Sequence, residues 1–186
     1  MSEQSSLYCK VKITKPRLET FLNSASEKLV LDGNWLEWWE NRTMYSKMTP
    51  TAKELYAYND LTNYAIFKEW YEAEQTFAFS DYDETTQQWH LGILLFSENY
   101  LEMLPMLAFI KSMEAYVTES IDNFAIVYPF FWGDTNVDVF IKFKDGKALL
   151  DSKVQSTDDI DTVLLETTSG YLNNKWSELS ANMEID

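Results

Sequence analysis

A chain of 186 residues can build one well-cored domain and is marginal for two. Its 46% hydrophobic and 24% charged residues are globular in composition, while only 5 Gly and 4 Pro argue against Gly-rich phosphate loops and many-turned all-β folds. A net charge of −15 disfavours direct contact with nucleic acid or an anionic membrane; it favours a basic protein partner, or serves solubility alone.

Along the chain, Leu7 to Ile13 alternates apolar and polar, with Leu7, Cys9, Val11 and Ile13 on one side, which predicts a half-buried strand. Cys9, the only cysteine, is then a core residue, and no internal disulfide can form. Pro16 suits the first turn of a helix carrying Leu18, Phe21, Leu22, Ala25 and Leu29 at three-four spacing, to end near Leu31 and Gly33. Next comes "NWLEWWEN". With Asn34 as N-cap, Trp35, Trp38 and Trp39 fall at i, i+3 and i+4, on one helix face. Core packing is the favoured reading, with one of the three rings left partly exposed. Thr49–Pro50 reads as the start of a helix over 50–62, and "NYAIFKEWYEAEQ" as a further helix to Gln75.

The stretch 76–96 then gives two strands, 76–82 and 87–96, around a polar turn at Asp83–Thr86. Ser97 is placed to cap a helix over 98–117, with Pro105 inside it. "DNFAIVYPFFW" and "NVDVFIKF" are further strands, and Asp145–Gly146 is a hairpin turn into a short edge strand. A last helix is expected from about residue 157, its start marked by Asp158, Asp159 and Asp161, with a break near Gly170. The whole predicts one α+β domain over 1–186. It would be an antiparallel sheet with helices packed on one face: a ferredoxin-like core with a helical insertion at about 34–75 and a C-terminal helix.

Catalytic signatures are absent from this sequence. His90, the only histidine, sits mid-strand with no nucleophile elbow anywhere, so it reads as structural. One His and one Cys cannot make a structural zinc site, and the cluster Asp81, Asp83, Glu84 lacks the calcium-loop pattern. No Walker or dinucleotide motif is present, and no catalytic residue, metal or cofactor is expected. The start, "MSEQSSLYCKVK", has no apolar signal region, and the longest apolar run, Met103 to Ile110, is too short for a bilayer; a cytoplasmic protein with no membrane contact is expected.

Charge is unevenly spread. Residues 54–122 carry 13 acidic residues against only Lys68 and Lys111. A domain of this size cannot bury many carboxylates unpaired, so most of these lie on its surface. The acidic flank of Glu54, Asp60, Glu69, Glu72 and Glu74, with Tyr56, Trp70 and Tyr71 as aromatic anchors, is the candidate partner-binding surface. The expectation is a non-enzymatic acidic binding protein, of the inhibitor or immunity kind, that neutralises a basic partner such as a nuclease toxin or another nucleic-acid enzyme. The alternative is an enzyme or small-ligand-binding domain with a carboxylate and aromatic pocket.

Overall fold

The computed structural model describes residues 3–43, 47–55, 61–73 and 75–181. Its elements are β1 (Ser5–Lys12), α1 (Lys15–Asn23), α2 (Gly33–Glu40), α3 (Ala52–Leu55), α4 (Asn63–Tyr71), β2 (Ala78–Asp83), β3 (Gln88–Ser97), α5 (Tyr100–Ser112), β4 (Phe124–Tyr128), β5 (Val139–Lys144), β6 (Lys147–Leu150) and α6 (Thr162–Ser180), with 3-10 turns at Met113–Ala115 and Thr157–Asp159. The fold is α+β. All six strands lie in one sheet, in the order β2-β3-β1-β4-β5-β6, and every neighbouring pair is antiparallel. A ferredoxin-like core has four strands; this sheet continues past β4 through the β5–β6 hairpin. That hairpin turns at Asp145–Gly146, both at positive φ (52° and 71°), as a tight two-residue turn requires.

Strand alternation sorts the side chains to two faces. Leu7, Cys9, Val11, Trp89, Leu91, Ala125, Val127, Val139 and Ile141 share a core with residues of α1 to α5. Tyr8, Phe79, Phe124, Ile126, Tyr128 and Phe140 point the other way, where Leu172 of α6 and its neighbours cover them. The helical layer expected on one face is present, and the C-terminal helix adds a cover on the opposite one. Gly92 is where close approach matters: a Cβ there would sit 2.7 Å from the Leu7 carbonyl and against the Phe79 ring.

The tryptophan stretch forms α2, but its cap is Asp32, whose carboxylate accepts from the Trp35 N–H at 3.1 Å. All three rings are buried to 1% exposure or less, so the expected open ring does not exist. Each ring has its own lid. The Lys111 ammonium lies 5.4 Å over Trp35, Trp38 Nε1 donates to the Asp138 carbonyl at 3.1 Å, and Trp39 Nε1 donates to the Met48 carbonyl at 2.9 Å.

Other expectations shift. The first helix ends at Asn23 rather than near Leu31, because Ser24 turns its N–H and hydroxyl back onto the Phe21 carbonyl. Residues 24–26 instead pair with 61–63, through Ser26 N–H to Leu61 and Asn63 N–H to Ser24. Of the helix expected over 50–62, the described residues give only α3, where Glu54 bonds the Thr51 N–H and hydroxyl. The next helix stops at Tyr71 instead of Gln75. Asn99 caps α5 in place of Ser97, and Gly170 is passed through without a break inside α6.

Candidate functional site

A sheet has two edges, and an edge strand exposes every second N–H and C=O. At β6, the Asp151 N–H bonds the Phe140 carbonyl, so the outward groups belong to Ala148 and Leu150. All four are taken by side chains. Glu114 accepts from the Ala148 N–H at 2.8 Å, the Lys111 ammonium donates to the Ala148 carbonyl, and Asn34 bonds both the N–H (2.9 Å) and the carbonyl (2.8 Å) of Leu150. Asn34, expected as a helix cap, thus acts as a one-residue substitute strand. Lys111 is buried for this role, and burial lowers its pKa.

At β2 the situation reverses. The Ile13 N–H bonds the Gln87 carbonyl, which fixes the parity of β3: its odd residues bond β1 and its even residues bond β2. Phe79, Asp81 and Asp83 therefore carry the ladder to β3, and Ala78, Ser80 and Tyr82 turn their backbone groups outward. Among the described residues no side chain or backbone group bonds them. The edge is flanked by acids. Asp81 accepts from the Tyr171 hydroxyl (2.8 Å) and Lys175 (2.9 Å). Asp83 accepts from the Thr85 and Thr86 N–H groups. The Thr86 hydroxyl, then these two N–H groups, hold its carboxyl below the usual range.

Beside this edge lies α4. Phe67 packs on Trp89 with ring centres 5.8 Å apart, and Trp70 on Phe96 at 5.3 Å, both on β3, and α4 also contacts β2. This divides the candidate partner-binding residues. Glu69, Tyr71 and Glu72 are exposed on α4 and at its end. Trp70 is half-buried and turned inward. Glu54 is exposed but committed to the start of α3. Asp60 and Glu74 lie outside the described residues, as does Tyr56. Of the two bases in 54–122, Lys111 is buried behind β6, and Lys68 is within 3.7 Å of Glu72. Sequence reasoning noted Asp81 and Asp83 only as a turn cluster; their place at an open edge depends on strand order, which no local pattern encodes.

A second polar cluster sits under α6. The Tyr8 hydroxyl lies 2.8 Å from His90 Nδ1, and the His90 ring stacks on Tyr171 at 4.8 Å. Burial, then the nearby Lys10, lowers the pKa of His90, and burial raises that of Tyr8. Cys9 points to the opposite face of the sheet, with its thiol pKa raised by burial, so it forms no dyad with His90. Two open grooves of about 350 Å³ each share Ile121, Phe124 and Leu164 on the α6 face. One holds Asp122 and Asp161, but Asp161 is already engaged as the cap of α6 through the Leu164 N–H. Among the described residues no three His, Cys, Asp or Glu side chains converge as a metal site, and no helix is long and apolar enough to cross a membrane. No protein-family model, curated protein or solved structure matches the chain.

Proposed function

We propose that this is a non-enzymatic acidic binding protein that docks a basic protein partner, in the manner of an inhibitor or immunity protein covering the basic groove of a nuclease or another nucleic-acid enzyme. The observation that carries the reading is the distribution of charge at the α4–β2 margin. Glu69, Glu72 and Asp83 are exposed on α4, at its end and at the end of β2, and the bases nearby are already engaged: Lys68 with Glu72, Lys15 with Glu84, and Lys175 with Asp81 and Glu178. A negative field of this kind accelerates encounter with a positive surface, and exposed aromatics such as Tyr64 and Tyr71 supply anchoring area.

The test is capture of a partner from native lysate, followed by its association rate at rising salt. The rate should fall steeply as the Debye length shrinks from about 30 Å at 0.01 M to about 8 Å at 0.15 M. The double reversal Glu69→Lys, Glu72→Lys should slow association at least tenfold, with little effect on folding. A salt-independent rate, or a partner indifferent to the reversal, would assign the acidity to solubility.

A further inference from the structure

The asymmetry of the two sheet edges specifies more than a charged surface. At β6 every outward backbone group has a side-chain partner, whereas at β2 the outward groups of Ala78, Ser80 and Tyr82 have none among the described residues. We propose that the β2 edge is a strand-addition site, and that its occupant is an extended basic segment of the partner protein, about six residues long, with Lys or Arg at alternate positions. This rests on the reading of the α4–β2 margin as the docking surface for a basic protein.

Backbone pairing would supply affinity, and the flanking side chains would supply specificity. Residues of an added strand alternate between the two faces of the sheet. Those opposite Phe79, Asp81 and Asp83 stand on the α6 face, beside two carboxylates, and there a cation is favoured. Asp83 is the more available partner: it is exposed and bonded within its own turn, to Thr85 and Thr86, while Asp81 shares its charge with Lys175. Those opposite Ala78, Ser80 and Tyr82 stand on the α4 side, where the edge strand presents no carboxylate and uncharged, β-branched residues suit an added strand. A second copy of this chain is the competing occupant, and electrostatics oppose it. Each copy carries −15, and edge-to-edge pairing would bring the two acidic margins together.

The probe is a capped ten-residue peptide alternating Lys with Val or Thr. Its control has the same sequence but N-methyl groups on the amides that would face β2. Titration followed by fluorescence anisotropy gives the affinities, and amide hydrogen exchange reads the protein side. The expected result is binding of the first peptide, at least tenfold weaker binding of the second, and slowed exchange at Ala78, Ser80 and Tyr82, with Ala148 and Leu150 unchanged. Equal, salt-sensitive binding of both peptides would overturn strand addition and leave the acidic-surface reading standing. Binding of neither would also overturn strand addition; the acidic-surface reading would then be decided by the lysate partner and the Glu69, Glu72 reversal. Protection of the β2 amides that appears with protein concentration alone would overturn the proposal in favour of self-pairing. On the protein side, Ser80→Pro removes one outward donor without touching the ladder to β3, and it should weaken the peptide at least tenfold. Because Ser80 also accepts from Trp89 Nε1, Ser80→Ala serves as the matched control and should bind as wild type does.

Discussion

Truncating Trp38 to Ala tests whether the tryptophan stretch is core. Trp38 is fully buried, and its ring meets Trp35, Trp39 and Tyr100 with centres 6.4, 6.0 and 6.0 Å apart. Removing a buried Trp costs about 3–5 kcal/mol, transfer and cavity together. Against a typical domain stability of about 5–15 kcal/mol, that is about a fifth of the total at the least and all of it at the most. Trp38→Phe separates the parts: it keeps much of the ring but removes the donor to the Asp138 carbonyl, and should cost about 1–3 kcal/mol. Leu36, on the outer side of the same helix, is the control, and Leu36→Ala should stay within about 0.5 kcal/mol. Urea unfolding followed by far-UV circular dichroism measures all three. With a slope of about 2 kcal/mol/M, Trp38→Ala should lower the midpoint by roughly 1.5–2.5 M. A loss under about 1 kcal/mol would refute the packing argument, and so would a Leu36→Ala loss equal to that of Trp38→Ala.

Gly92→Ala should lose about 1–3 kcal/mol or more in thermal unfolding, since the new methyl has no room between the Leu7 carbonyl and the Phe79 ring. Gly170→Ala should gain about 0.5–1 kcal/mol, because it lies inside α6 with open space around its Cα. Asn34→Ala should cost about 1–3 kcal/mol and speed hydrogen exchange at Leu150, as it strips both outward groups of that residue. His90 titrates below the usual value of about 6.5 because it is buried, so the unfolded chain takes up the proton first as pH falls. Its contribution to stability is complete above about pH 6.5 and is lost as pH drops through the lowered folded value; urea midpoints at about pH 7.5 and about pH 5 should differ more for wild type than for His90→Gln.

Strand positions and the hairpin turn were legible because they depend on alternation and on Asp145–Gly146, both local. Caps were not. Asp32 replaces Asn34, and Asn99 replaces Ser97, each two residues from the expected position. Any of these four side chains can cap a helix; the choice falls to whichever start aims the apolar face at the sheet. Asn34 was drawn away by Leu150, 116 positions along the chain, and Ser97 by Glu102. The helix expected to run to Leu31 failed for the same kind of reason: Ser24 and Asn63, 39 positions apart, join two segments that look independent in sequence. The candidate site was legible only as an excess of carboxylates. Which of them stand at an open edge follows from strand order, and strand order is set by all six strands together.

An unpaired edge is a hazard for a protein at high concentration, and this chain answers it differently at its two ends. At β6, three polar side chains occupy the backbone groups directly, at the cost of burying a lysine. At β2 the backbone groups are left open, and the defence is charge: Asp83 on the strand and Glu69 on α4, with Asp81, Glu84 and Glu72 each paired to one lysine, Lys175, Lys15 and Lys68. A plug excludes every strand alike. A field excludes only strands of its own sign, including those of other copies of this chain, and it draws in strands of the opposite sign. An edge meant only to be inert would be served equally well by either device; an edge guarded by charge alone stays available to a basic segment. That selectivity joins the sheet topology to the proposed function, and the paired N-methyl and unmethylated peptides measure it directly.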